Sequence, residues 1–156
     1  MRNAVKTAYA MAFLLCSCDW LSGDNGKDYK DCKVVGYDVE RSEKVEKSIN
    51  NTENSQNQTG TYHLRRTITA TGGVEASVLK SLAMKAEVKY EVEESEDIPY
   101  DVPAGKHYKI ISFGIFNHWT CIEVPKTGTQ TSANVKGHKV DFWVPHAVGH
   151  KFTMSQ

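Results

Sequence analysis

The chain has 156 residues, enough for one domain with a modest core, and 40% of them are hydrophobic. Its 19 basic side chains balance 19 acidic ones, a net charge of zero that excludes nucleic-acid binding by bulk charge. The charge is uneven along the chain. Acid gathers at Glu91, Glu93, Glu94, Glu96 and Asp97, whereas Lys106, Lys109, Lys126, Lys136, Lys139 and Lys151 later face only Glu123 and Asp141. A basic segment of this kind fits an anionic membrane surface or a glycan, and a solvated lysine-rich face is the plainer reading.

Residues 1–18 read as an export signal. Arg2 and Lys6 give a positive start, and Ala8 to Leu15 give an apolar core too short to span a bilayer as a helix. Leu15-Cys16-Ser17-Cys18 then resembles the bacterial lipoprotein cleavage motif: Leu three positions before the cut, a small Ser before it, Cys after it. The resemblance implies that Cys18 becomes the lipid-bearing first residue of the mature chain, an anchor that tethers a domain without making it integral. The alternatives are an ordinary secretory signal or a hydrophobic N-terminal strand.

Residues 19–31, rich in Asp and Gly, read as a polar tether, and residues 32–156 as a single β-rich domain. Asp24, Asp28 and Asp31 do not fit a calcium loop, since no Glu closes the spacing. Cys32 opens the first predicted strand, in which Val35, Tyr37 and Val39 alternate with polar residues. A charged run and the tract NTENSQNQTGT follow, the latter expected as a loop or a solvated edge strand.

The central stretch is 61–92. Tyr62, Leu64, Arg66, Ile68 and Ala70 share one phase, with His63, Arg65, Thr67 and Thr69 on the other face. From Val74 to Val92 the even positions are again mostly apolar: Val74, Val78, Leu82, Met84, Val88 and Tyr90 form a candidate membrane or packing face. A loop at Thr71-Gly72-Gly73 predicts a long hairpin whose facing pairs sum to 144, with both apolar sets on one side. A helix is the alternative for part of it, because Ala76, Leu79, Ala83, Ala86 and Tyr90 fall at heptad spacing among good helix formers. That reading strands Met84, Val88 and Val92 on the wet side.

After a turn-rich run with Pro99 and Pro103 and an acidic turn at Glu93-Glu94 and Glu96-Asp97, His107 to Asn117 is apolar on both faces and predicts a central strand covered on both sides. Trp119 to Val124 continues it, and Thr129 to Val135 reads as a polar edge strand. His138 to Val144 places Val140, Phe142 and Val144 on one face and Trp143 on the other; Pro145 is expected to stop it, with a last short strand at His150 to Met154. The sum is an all-β or nearly all-β fold, an elongated antiparallel sheet or sandwich of about seven strands.

Cys32 and Cys121 remain after the signal cysteines are set aside, an even pair in an oxidising compartment and hence a predicted disulfide. His146 and His150 have the i, i+4 spacing of a zinc helix, but Pro145 and Gly149 break helix there. As a strand the same pair would share a face about 13 Å apart, too far for one ion. His118 and His138 converge only through folding. No catalytic, metal-ligating or cofactor-binding set is identified, and no cofactor is expected.

The runs SINNTENSQNQTGTYHLRRTITATGG, VEASVLKSLAMKAEVKYEVEES and DVPAGKHYKIISF, residues 45–115, resemble the membrane-module region of aerolysin and epsilon-toxin-type β-pore-forming proteins. The resemblance lies in a Ser/Thr/Asn-rich flank, long alternating strands and a Pro-Gly turn, and it implies a shared scaffold more directly than pore formation. Arg66 and Lys80 depart from it by interrupting the face that would meet lipid. The expectation is an exported, lipid-anchored, non-enzymatic β-protein of a bacterial cell envelope. It would act by binding or protection, with an unidentified protein or glycan partner and no nucleic acid. A β-hairpin membrane-perturbing module is the alternative, and an exported hydrolase or metal protein comes third.

Overall fold

The computed structural model describes residues 21–22, 26–126 and 137–155. Over these residues the fold is all-β apart from one short helix. The strands are β1 (Leu21–Ser22), β2 (Lys27–Asn51), β3 (Gln58–Thr69), β4 (Thr71–Gly72), β5 (Glu91–Val102), β6 (Lys106–Pro125) and β7 (His138–Ser155), and α1 spans Ala76–Lys85. One antiparallel sheet has the order β1-β2-β6-β7-β4, and β3 pairs with β5 in a separate two-stranded ribbon. The segment His107 to Asn117 lies within β6, the middle strand of the large sheet, as its two apolar faces require. The predicted signal, Cys18 and the strand Thr129 to Val135 lie outside the described residues.

β2 spends 25 residues opposite the 20 of β6. Five register shifts, each inserting one extra residue in β2, absorb the difference. Each such bulge bends the strand and raises its twist. Three of the inserted regions carry a non-glycine residue in the left-handed region: Asp31 (φ 54), Asp38 (φ 53) and Ser42 (φ 58). Asp and Ser tolerate this because their short polar side chains bond locally. The bulges break the period-two signal, so β2 begins at Lys27, inside the segment expected as a tether, and also absorbs the charged run up to Asn51.

Asn51 ends β2 as a fully buried amide. Its Nδ2 donates to the carbonyls of Gln56, Val102 and Pro103, and its Oδ1 accepts from Asn54 at 2.6 Å. This lock closes the polar loop and starts β3. The expected ribbon is present, but its second strand is β5 rather than Val74 to Val92. Facing pairs run from Gln58 with Val102 to Thr69 with Glu91, so the sum is 160 and not 144. The acidic segment read as a turn is therefore strand, with Arg65 Nε 2.9 Å from Glu93 and His63 Nδ1 2.6 Å from Asp97 across the outer face.

Residues 76–85 are helical because Leu79 and Ala83 are buried together with Val78 and Leu82. Val78 and Leu82 satisfy either period, whereas Leu79 and Ala83 fall on the wet face of a strand and on the inner face of a helix. Fully burying a valine or leucine is worth about 1.5–3 kcal/mol, which outweighs leaving Met84 in water. Met84 is 75% exposed, so it leaves the predicted packing face; Val74, Val88 and Tyr90 pack partly buried against the cluster that holds α1. The helix ends in a six-to-one and five-to-two pair of hydrogen bonds, Val88 N to Ala83 O at 2.9 Å and Glu87 N to Met84 O at 3.3 Å. Glu87, at φ 55, takes the left-handed place that glycine usually fills in this motif.

The two layers cover opposite faces of the sheet. Neighbouring residues of a strand point to opposite sides. Phe142 packs with Cys121, Val78, Leu79 and Leu82, while Trp143 packs with Phe116, Ile68 and Val92. α1 thus covers one face and the β3–β5 ribbon the other, joined around the β7 edge by β4. Gly72 makes that crossing possible, because a Cβ there would lie 2.3 Å from Phe142 Cβ. A Cβ at Gly114 would stand 2.9 Å from Ile68 Cδ1, so glycine lets the ribbon settle onto β6.

The Cys32–Cys121 disulfide ties β2 to β6 with a Cα separation of 4.1 Å and closes a sequence separation of 89. Cys32 sits in the first bulge of β2, where two residues oppose Cys121. Pro145 does not stop β7, which continues through a register shift between Ile115 and Phe116. Proline is tolerated here because β7 has no outer neighbour at this level.

Candidate functional site

Beyond the ribbon, the face that it covers continues toward the β1 end of the sheet. Register places Arg41 level with Gly114, and His118 between Gly36 and Trp143. Lys33 is level with Thr120 and Asp141, and Lys30 and Lys139 flank Ile122. Trp143, the isolated aromatic on the polar side of β7, organises this end. The His118 ring stacks on it at 4.9 Å with an interplanar angle of 8°, and Arg41 Cζ lies 3.6 Å from the Trp143 ring centroid. His118 Nε2 is 3.0 Å from Asp141 Oδ1, and Lys139 Nζ is 3.9 Å from the same oxygen.

Arg41 has no carboxylate partner among the described residues, and its Nη1 is buried without a hydrogen bond. Thr120 Oγ1, on the same face, is also buried and unpaired. Buried polar groups ordinarily find partners, so these two mark a place where the fold leaves donors unanswered. A guanidinium on an indole, backed by an imidazole and lysines, suits recognition of an anionic or planar group.

Farther along, the ribbon covers a second polar cluster. Fully buried Ser112 donates to Glu46 Oε1 at 2.6 Å and accepts from Arg66 Nη1 at 2.5 Å. Arg66 also donates to the Ser42 carbonyl, and Tyr62 donates to Glu46 Oε2 at 3.2 Å. Burial alone pushes the Glu46 carboxyl up, but hydrogen bonds from Ser112, Lys44 and Tyr62 and the Lys44 charge outweigh it and hold it below the usual carboxylate range. Burial, then the Glu46 charge, raises the Tyr62 phenol above its ordinary value. The Ser112 proton is committed to Glu46 and the hydroxyl is sealed from solvent, so this cluster is a clamp between ribbon and sheet.

The histidines separate. His146 Nε2 lies 2.8 Å from Asp38 Oδ1, and His150 Nδ1 lies 3.2 Å from Glu96 Oε2. The β7 bulge shifts the phase between them, so they serve opposite faces rather than the single face an unbroken strand would give. Among the described residues no group of three or more His, Cys, Asp or Glu side chains converges as metal ligands. On the helix side a cavity of about 380 Å³ is lined by Glu87, Val88, Lys89, Asn117, Val144, Pro145 and His146. Of the predicted site residues, the structure brings together Cys32 with Cys121, and Val74, Val78, Leu82, Val88 and Tyr90 around one cluster. Arg41 carries no signal in the sequence and Asp141 only its charge; the lone Trp143 opposite Val140, Phe142 and Val144 is the available signal.

Fold and site together define an antiparallel β-protein with a cationic, aromatic sheet end. No family model matches the chain, and no curated protein is similar to it in sequence.

Proposed function

We propose that this is an exported, lipid-anchored and non-enzymatic β-protein that acts by binding or protection at a bacterial cell envelope. The observation that carries the binding reading is Arg41, held on Trp143 beside His118 with a buried, unanswered Nη1. Such a group recognises a partner by charge and shape. The anchor reading rests on Leu15-Cys16-Ser17-Cys18 after a short apolar core. Its test is labelled palmitate: Cys18→Ala is expected to abolish incorporation and leave an unprocessed precursor. Normal processing of that variant would leave ordinary secretion in its place. For the binding reading, retention on isolated envelope fragments is expected to fall for Arg41→Gln; unchanged retention would remove Arg41 from the site.

One observation favours a second reading as a membrane-perturbing hairpin. β3 and β5 form ladder hydrogen bonds only with each other, so the ribbon is held to the sheet by side chains alone. A ribbon of this construction is separable in principle, and dye release from liposomes discriminates between the readings.

A further inference from the structure

We infer that the β1 end of the sheet docks onto an anionic phospholipid surface, with Lys33 and Lys139 meeting headgroup phosphates; this rests on the lipid-anchored reading above. The position of β1, three residues after Cys18, carries the inference. β1 pairs Leu21 with Tyr29 and Ser22 with Asp28, level with Glu123 and Val124 at the extreme end of the sheet. Cys18 precedes Leu21 by three residues, so covalent reach keeps the Cys18 backbone within about 11 Å of that strand. Lys139 is level with Ile122, and Lys33 level with Thr120, so both lie within about 10 Å of β1 along the strand direction. An anchored chain therefore holds these lysines near the headgroups it is anchored in.

The charges at this end favour that surface. That face carries Lys30, Lys33, Arg41 and Lys139 against Asp28 and Asp141, with His118 shared to Asp141. Lys33 is exposed and forms no ion pair among the described residues, and the Lys139 side chain is 62% exposed with only a 3.9 Å contact to Asp141. The ribbon farther along presents Glu91, Glu93 and Asp97 outward, Glu93 beside Arg65 and Asp97 beside His63. The exposed Lys33 and Lys139 at the anchored end favour that end of the sheet on an anionic surface. A sugar ring is the less suitable occupant, since His118 and Arg41 already cover Trp143.

The test uses the full chain carrying Cys18→Ser, so that no acyl group contributes, with vesicles of phosphatidylcholine alone or mixed with phosphatidylglycerol. The chain is expected to prefer the anionic vesicles, and Lys33→Gln with Lys139→Gln should lower that partitioning about 30-fold, the factor given by about 1 kcal/mol per surface lysine. Lys106→Gln with Lys109→Gln, at the opposite end of the sheet, removes the same charge and should leave partitioning near the parent value. Lys33→Arg with Lys139→Arg should restore it, which separates charge from folding. Equal binding to both vesicle types, or equal losses from the two neutralised pairs, would overturn the docking face. Palmitate labelling reports the anchor separately, so a chain that is never acylated yet prefers anionic vesicles through Lys33 and Lys139 would count against the anchor alone.

Discussion

Ser112 Oγ lies 2.6 Å from Glu46 Oε1 beneath the ribbon, and this contact is what lets a charged β3 side chain, Arg66, face inward. Glu46 is held below its ordinary value in the folded state, so its contribution to stability is complete above its unfolded value, about 4.3. The contribution is lost as pH falls through the lowered folded value. Glu46→Gln is therefore expected to destabilise the protein at pH 7 and to converge with the parent in acid. Urea unfolding at pH 7 and below pH 4 measures both. A gap between parent and variant that stays constant with pH would show that the Glu46 charge does not hold the ribbon.

Leu79 and Met84 exchange roles between the two secondary structures open to residues 76–85. As a helix, Leu79 is 3% exposed and Met84 75% exposed. Leu79→Ala is expected to cost about 2–5 kcal/mol, the range for truncating a buried leucine. Met84→Ala should stay within about 0.5 kcal/mol of the parent, as surface changes do. Denaturant midpoints of the two variants decide the matter. The reverse order would restore the strand.

Much of the architecture was legible where a single period runs unbroken. Tyr62, Leu64, Arg66, Ile68 and Ala70 do face inward, with His63, Arg65, Thr67 and Thr69 outside, and β6 is central because it is apolar on both sides. The legible part stopped where the backbone does something that composition does not encode. Val78 and Leu82 fit periods of two and of four, so only Leu79 and Ala83 spoke for α1. Asp31, Asp38 and Ser42 bend β2 without a glycine to announce it. The site depends on distance in three dimensions: Arg41 and Trp143 are far apart in sequence and meet because bulges and register bring them onto one face.

Glu87 gives a stability prediction of opposite sign. A non-glycine residue in the left-handed region is strained by roughly 1–2 kcal/mol. Glu87 holds that conformation at the end of α1, it is exposed, and its side chain makes no hydrogen bond or ion pair among the described residues. Glu87→Gly is expected to raise stability by about 0.5–1 kcal/mol, the strain relieved less the extra entropy of the unfolded glycine. Thermal unfolding should show a higher midpoint. A lower one would mean that the helix end does not rest on this residue.

The membrane behaviour of the ribbon is the last expectation. To insert, β3 and β5 would leave the sheet and take α1 with them as strand. That exposes Leu64, Ile68, Val92, Ile98 and Val102 on one side and Val78, Leu79, Leu82 and Ala83 on the other, all buried in this fold. It also breaks the Arg66 bonds to Ser112 and the Ser42 carbonyl, the Lys47 bond to Tyr100 at 3.1 Å, and the Glu96–His150 pair. Arg66 would then face lipid, where an arginine near mid-bilayer costs roughly 2–4 kcal/mol in each subunit. The processed protein is accordingly expected to release no dye from neutral or anionic liposomes while keeping its helical circular-dichroism signal. Dose-dependent leakage accompanied by conversion of that signal to strand would make the hairpin reading the correct one.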